Sequence, residues 1–259
     1  MERMKLLADS IALFDPVSLE EMDHVKLMRR RDTKFVLPVD LLPEILKEIR
    51  AEYRALEING IRIQEYHSLY FDTSELEMYR MHHNGRLNRH KVRVRTYSSN
   101  NKTFLEVKLK NNRQETIKTR IPVSKDSLEE EESAGFLKKN APYRSEDLIP
   151  ALRNSFNRIT LVNKSLPERI TIDTELTYNT VDNSRTMTLH NLAVIEVKRD
   201  RDAAQSNILY ILNRHKIHPI GFSKYCMGTV ITNRQVKHNL FKNRLRRLGK
   251  IDNTFFSLN

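Results

Sequence analysis

The stretch RHKVRVRTY, residues Arg89 to Tyr97, alternates valines with cations: Val92 and Val94 fall on one side of an extended chain, Lys91, Arg93 and Arg95 on the other. A strand with one apolar and one polar face is ordinary. A polar face made only of cations is not, and it raises the question of whether that face meets water or grips an anion.

The same pattern recurs outward from this stretch. In TFLEVKLK, Leu105, Val107 and Leu109 share a face opposite Glu106, Lys108 and Lys110; in ETIKTRI, Lys118 and Arg120 oppose Ile117 and Ile121. In RITIDTEL, Ile170, Ile172 and Leu176 oppose Arg169, Asp173 and Glu175, and in AVIEVKRD, Ile195 and Val197 oppose Glu196 and Lys198. A half-solvated antiparallel sheet would explain any one strand. Charge at successive facing positions on strand after strand points instead to apolar faces covered by helices and charged faces turned inward. Many short antiparallel strands of this kind suggest a sandwich or a barrel, and the charge pattern favours the closed form: an α+β fold with a closed antiparallel β-barrel around a cationic tunnel and peripheral helices at both ends.

The flanking segments supply those helices. Residues 8 to 28 read as helical, with Ser18 and Glu21 at capping-box spacing. RRRDTKFVLP reads as a strand closed by Pro38, and VDLLPEILKEIRAEY as an amphipathic helix with Leu42, Ile45, Ile49 and Tyr53 near one face. EDLIPALRNSFNRITLV reads as a helix running into a strand, and Ala203 to His215 as a helix. The basic stretch from Asn233 to Lys250 reads as a helix docked through Leu240, Phe241, Leu245 and Leu248. No repeat or low-complexity linker divides the chain, which reads as one domain over 1–259 with its core at about 29–230 and a basic C-terminal helix and tail over 231–259.

Bulk properties bound the function. The 259 residues carry 39% hydrophobic and 30% charged residues and a net charge of +12, so a globular protein with an anionic partner is expected. A single cysteine, Cys226, excludes an intrachain disulfide or a cysteine-based zinc cage. No phosphate-binding glycine loop, signal peptide or long apolar run is present, so a cytoplasmic protein is expected. No RNA-binding motif occurs, and the cations alternate within strands instead of forming an outer stripe, which argues against nucleic acid. His82 and His83 read as part of a turn beside the tunnel mouth.

The segments RDTKFVL, YFDT, KVRVRTY, FLEVKLK, RITIDTEL, VIEVK and GFSKYCMG, in this order, resemble the VTC domain, the polyphosphate polymerase domain of the vacuolar transporter chaperone family, in the triphosphate tunnel metalloenzyme or CYTH-like superfamily. The resemblance implies an ATP-polyphosphate phosphotransferase in which Arg93, Arg95, Lys108, Arg158 and Lys224 act on the transferring phosphate. It implies phosphate contacts from Lys34, Lys91, Lys118, Arg169, Lys198, Ser223 and Tyr225, and Mn²⁺ or Mg²⁺ held by Glu196 and Glu106. The implied partners are ATP or another NTP, inorganic polyphosphate and a pyrophosphate or short polyphosphate primer, with a separately encoded membrane protein as a conceivable further one. A non-catalytic polyanion-binding module and a tunnel-fold triphosphatase are the alternatives. Two departures bear on them. The E-x-E-x-K spacing of hydrolytic relatives reads Arg30-x-Asp32-x-Lys34 here, which favours the polymerase branch. Gly221 stands where the polymerase family can carry a lysine, and Lys216 is the candidate to compensate.

Overall fold

The computed structural model describes residues 2–23, 30–113, 115–124, 128–200 and 206–252. The alternating segments become strands: β1 (Asp15–Val17), β2 (Arg30–Pro38), β3 (Tyr53–Leu56), β4 (Gln64–Asp72), β5 (Arg89–Tyr97), β6 (Lys102–Lys110), β7 (Thr116–Pro122), β8 (Ile149–Asn163), β9 (Glu168–Asn179), β10 (Thr186–Leu189) and β11 (Leu192–Asp200). The helices are α1 (Glu2–Ala12), α2 (Leu19–Asp23), α3 (Leu42–Ile49), α4 (Glu77–His83), α5 (Glu131–Asn140), α6 (Asn207–Arg214), α7 (Lys224–Thr232) and α8 (Lys242–Ile251).

The main sheet runs β2-β11-β9-β8-β4-β5-β6-β7, and each neighbouring pair on this path is antiparallel. β2 and β7 are its two ends and do not pair with each other, so the expected closed barrel is corrected to an open, strongly curled half-barrel. The curl is real: Lys34 on β2 acts electrostatically on Lys108 on β6, although five strands lie between them along the sheet. The side-chain alternation fixes which face is concave but says nothing about whether the two edge strands meet.

The convex face is apolar and covered, as the alternation predicts. Leu7 and Ile11 of α1, Ile45 and Ile49 of α3 and Ile208 and Leu212 of α6 pack on Phe35, Ile159, Ile170, Ile172, Ile195 and Val197. Met78 of α4 and Phe136 and Leu137 of α5 cover Val92, Val94, Leu105 and Val107. With both ends of the sheet roofed in this way, the charged alternates face inward.

Several local expectations change. The helix expected over residues 8 to 28 is divided: α1 ends at Ala12, β1 pairs in parallel with β3, and α2 starts after Ser18. The capping box holds, with Ser18 N–H donating to Glu21 and Glu21 N–H to Ser18 Oγ. Residues 24–28 lie outside the described residues, as do 203–205 of the helix expected from Ala203 and 253–259 of the tail. Residues 149–163 form one long strand with no helix, because β8 is paired on both sides, by β4 and β3 on one and by β9 on the other, and that pairing overrides the helix-like spacing of Leu148, Leu152 and Phe156. In β9, Glu175 takes φ +51°, and the β8–β9 register shifts there. This bulge reverses the side-chain alternation. Ile170 and Ile172 join the convex core, whereas Leu176 and Tyr178 join the cluster that packs around α7. No described helix is long and apolar enough to cross a membrane.

Candidate functional site

Strand register builds the concave face pair by pair. Arg93 lies opposite Glu106 and Lys91 opposite Lys108 between β5 and β6, while Lys118 lies opposite Lys108 between β6 and β7. Arg93 donates through Nε and Nη2 to Glu106 Oε2 at 2.8 and 2.6 Å, and Lys118 Nζ takes the other carboxylate oxygen. Glu106 is 2% exposed. Burial alone would favour its neutral form, but the charges of Arg93, Arg95 and Lys118 outweigh burial and hold the carboxyl well below the usual range.

A second knot joins β8, β9 and α7. Arg158 makes a bidentate pair with Asp173, Nε to Oδ1 at 2.6 Å and Nη2 to Oδ2 at 2.8 Å, and Lys224 donates to Oδ2 from the first turn of α7. A third joins β2 and β11: Lys198 donates to Glu196 at 2.5 Å, and Lys34 stands 3.6 Å from the same carboxylate while donating to the Phe222 carbonyl oxygen at 3.0 Å. Glu196 is likewise held well below the usual carboxylate range, with burial outweighed by Lys34 and Lys198.

Between the knots stand cations without a carboxylate. Among the described residues Lys108 forms no hydrogen bond or ion pair, and Lys91 has only the Ser223 hydroxyl, at 2.8 Å. Burial, then the charge of Lys34, brings Lys108 down to about 7, and burial chiefly brings Lys91 to about 8. Burial also lowers Lys118 to about 8 and Lys224 to about 7, against the pull of their carboxylate partners. Arg95 is 5% exposed and donates to Ser68 at 3.0 Å. Lys34, Lys91, Arg93, Arg95, Lys108, Lys118, Arg158, Lys198 and Lys224 gather around Glu106, Asp173 and Glu196, so cations outnumber carboxylates among these residues. That excess is an electrostatic mould for a multiply charged anion.

Aromatic rings let these like charges stand close together. Tyr66 and Phe156 stack with centroids 5.3 Å apart, and Arg95 and Arg158 each lie 5.1 to 5.5 Å from both rings, with Lys224 Nζ 4.2 Å from Phe156. α7 packs against β8, β9 and β10. Gly228 permits its close approach, since a Cβ there would sit 2.4 Å from Tyr178 and 2.5 Å from Leu152. Ser223 caps α7 by accepting from Cys226 N–H. Tyr225 stacks on Tyr70 and donates to Asp72 at 2.5 Å.

The sequence profile of the VTC domain matches residues 29–233. The chain belongs to the VTC domain family. No match was found among curated proteins. Among solved structures, similar chains include a candidate adenylate cyclase from Vibrio parahaemolyticus (11% identity, 78% of this chain and 99% of that one, TM-score 0.46) and another from Bacillus halodurans (12%, 76% and 96%, 0.47). A third is a candidate adenylyl cyclase from Hippeastrum described as having a dominant triphosphatase activity (13%, 82% and 99%, 0.46).

In this VTC domain the cations named from the sequence stand on β2 (Lys34), β5 (Lys91, Arg93, Arg95), β6 (Lys108), β7 (Lys118), β8 (Arg158), β11 (Lys198) and α7 (Lys224). Arg169 stands opposite Lys198 in the β9–β11 register, two strands in from the β2 edge. Two residues take positions different from a direct phosphate contact: Ser223 is a cap that also holds Lys91, and the Tyr225 hydroxyl is committed to Asp72. Asp72 was missed. It is fully buried, accepts N–H bonds from Met78 and Tyr79 at the start of α4 and ties them to Tyr225, so it locks α4 to α7. Its place in the YFDT segment was the only signal. Asp173 was legible as a charged face residue, but its bidentate pair with Arg158 was not. Glu175, read onto the Asp173 face, turns away at the bulge and meets His190 at 2.6 Å.

Both carboxylates expected to hold metal lie on the concave face. Glu106 has both oxygens engaged by cations at the centre of its knot. Glu196 also faces cations on both oxygens, but Lys34 stands 3.6 Å from Oε1, a looser contact that leaves this oxygen the better donor for a hard divalent ion, and such ions need only one or two carboxylates when phosphate oxygens complete the shell. A separate group, Glu44, Glu48 and His215, converges elsewhere, on α3 and the end of α6, where Glu48 is already paired with Arg214 and His215. Lys216 does not answer the departure at Gly221, for it is exposed on the turn after α6. The group lying against Gly221 is the Arg244 guanidinium. His82 and His83 belong to the end of α4 instead of a turn; His83 Nε2 accepts from Leu240 N–H at 3.2 Å. The helix expected over Asn233 to Lys250 begins only at Lys242; Phe241 just before it, and Leu245 and Leu248 within it, dock as expected, whereas Leu240 is exposed.

Proposed function

We propose that this chain is a polyphosphate polymerase that transfers the γ-phosphate of an NTP, ATP in the first instance, to the end of an inorganic polyphosphate chain. Membership of the VTC domain family supports this reading. The observation that carries it is the presence of Lys91 and Lys108 inside the concave face without a carboxylate partner, between knots that keep every neighbouring carboxylate neutralised. Glu196 acts on Lys108 only from beyond ion-pair distance, so a bound anion would give these lysines direct counter-charges, and a phosphate chain offers one at each unit.

Phosphoryl transfer asks the protein for position and charge neutralisation more than for covalent help. A terminal phosphate oxygen of the acceptor forms the new bond to the γ-phosphorus, the bond to the β–γ bridging oxygen breaks, and the nucleoside diphosphate leaves with that electron pair. The attacking phosphate is already ionised, so no general base is needed. Arg93, Arg95 and Arg158 are held by Glu106, Ser68 and Asp173 in fixed orientations, which lets them stabilise charge on the transferring group without reorganising. Lys91, Lys108 and Lys118 hold the phosphates, and Lys224, balanced near neutrality, can neutralise the bridging oxygen as it leaves. Glu196 would hold Mn²⁺ or Mg²⁺, which when bound supplies further neutralisation of the triphosphate oxygens. The hydrolase alternative is weakened by the first strand, where Asp32 is exposed and stands opposite Lys198.

The test is to incubate the protein with ATP, Mn²⁺ and a short polyphosphate primer and to resolve products by length. A ladder of lengthening chains with ADP released, lost in Arg93→Ala and Glu196→Ala, is expected. Orthophosphate without chains would replace the proposal by a triphosphatase, and binding without turnover by a polyanion-binding module.

A further inference from the structure

The cationic surface does not stop at the rim of the concave face. Arg89 lies two residues before Lys91 on the same side of β5. His82 lies within electrostatic reach of Lys91, Arg89, Arg244 and Lys34 together; burial first, and these four charges after it, push its imidazole far below the ordinary range and leave it neutral among them. Arg244 comes from α8, where its guanidinium stands 5.3 Å from the centre of the Phe241 ring. It also lies against the exposed backbone of Gly221, so close that a Cβ there would be 3.3 Å from Nη2. The next two residues are Phe222, whose carbonyl takes Lys34, and Ser223, whose hydroxyl takes Lys91. Arg244 therefore lies against the segment that holds these two lysines.

Neither Arg89 nor Arg244 forms an ion pair among the described residues; Arg89 donates only to the Arg86 carbonyl, at 2.6 Å. Like charges grouped without a carboxylate repel one another, and a bound anion is what relieves that repulsion. The line Lys108, Lys91, Arg89, Arg244 leads from the interior out to α8, whose outward residues Lys242, Arg246 and Lys250 are exposed while Leu245 and Leu248 anchor the helix.

We infer that Arg244, with Arg89, forms an outer phosphate subsite at the mouth of the cavity, taking the part of a phosphate chain that extends past Lys91. This rests on the proposed reading of the concave face. A short anion occupies the interior, whereas a longer one also reaches Arg244, so the subsite makes the protein prefer long chains. Gly221 is part of it, because a side chain at that position would displace the guanidinium.

Calorimetric titration of the full chain with sodium tripolyphosphate and with long-chain polyphosphate tests the inference. The wild type is expected to bind the long chain more tightly per site, and Arg244→Ala to lose about tenfold of that preference, the effect of one charge-assisted contact. Arg244→Lys retains much of it. Adding Gly221→Lys to Arg244→Ala returns a cation to the same place and restores it, which a purely structural role for Arg244 does not allow. Tripolyphosphate that fails to bind, or binds equally well to Arg93→Ala, refutes the concave-face reading itself. If tripolyphosphate binds there but long chains bind no tighter, or Arg244→Ala weakens both ligands by the same factor, or the lysine at 221 restores nothing, the outer subsite alone is overturned.

Discussion

Replacing Glu106 by Gln keeps the shape of the side chain and removes one charge from the centre of a buried knot. Arg93 and Lys118 then lose their shared counter-ion. Removing one partner of a buried pair costs about 3–5 kcal/mol. The Arg93 and Lys118 side chains keep 22% and 34% of their surface in contact with solvent, so water relieves part of the cost and about 3 kcal/mol is expected. For a chain of this size that corresponds to a fall in Tm of roughly 6–12 °C, read by circular dichroism at pH 7. Tripolyphosphate should then raise the Tm of Glu106→Gln by more than it raises that of the wild type, because the anion meets cations that the carboxylate no longer neutralises. Mn²⁺-dependent binding should survive, since Glu196 is untouched. The pH dependence has a definite sign. Glu106 has a lowered pKa in the fold, so its contribution is complete above the ordinary glutamate value of 4.5 and is lost as pH falls from there toward the folded value; the gap between variant and wild type narrows in acid. A Tm within about 2 °C of wild type at pH 7 would refute the claim that this knot stabilises the fold. A large fall that tripolyphosphate repairs no better than in the wild type would refute the claim that the knot faces the anion.

The unpaired and paired cations should behave oppositely. Lys108→Ala removes a charge with no partner and leaves Tm unchanged or higher, while polymerase activity falls about 10²-fold; Arg158→Ala strands Asp173 with Lys224 alone and costs about 3 kcal/mol in denaturant unfolding. Equal destabilisation by the two would contradict the division. With Lys108 and Lys224 near 7 and Lys91 near 8, an anion that favours their charged forms must take up protons as it binds at about pH 8, and its affinity must fall as pH rises further. Titration enthalpies that coincide in buffers of different ionisation heat would exclude that uptake. Gly228→Ala drives a methyl group into Tyr178 and Leu152 and should destabilise by about 1–3 kcal/mol or more, with loss of tripolyphosphate binding if α7 shifts; a wild-type denaturation midpoint would show that α7 sits less tightly.

Much of this protein follows from local sequence. The alternation of Lys91, Val92, Arg93, Val94 and Arg95 already assigns each residue to a face, because successive side chains of a strand point to opposite sides whatever the strand pairs with. The apolar periodicity of α3 and the Ser18–Glu21 cap are local in the same sense. Helices that need an apolar surface then force the charged faces inward. What the sequence could not decide lies in pairing between distant segments. Whether β2 meets β7, which cation takes Glu106, and how Asp72 ties α4 to α7 across 153 residues of chain all depend on long-range register. The bulge at Glu175 reverses the alternation that the strand otherwise obeys, through a backbone conformation that no neighbouring residue type announces. The sequence by itself determined that this chain carries an inward cationic face. Only the tertiary structure decided which cations are spent on carboxylates and which remain for an anion, because a charge on a strand has a fixed direction but its partner comes from whichever strand or helix folds over it.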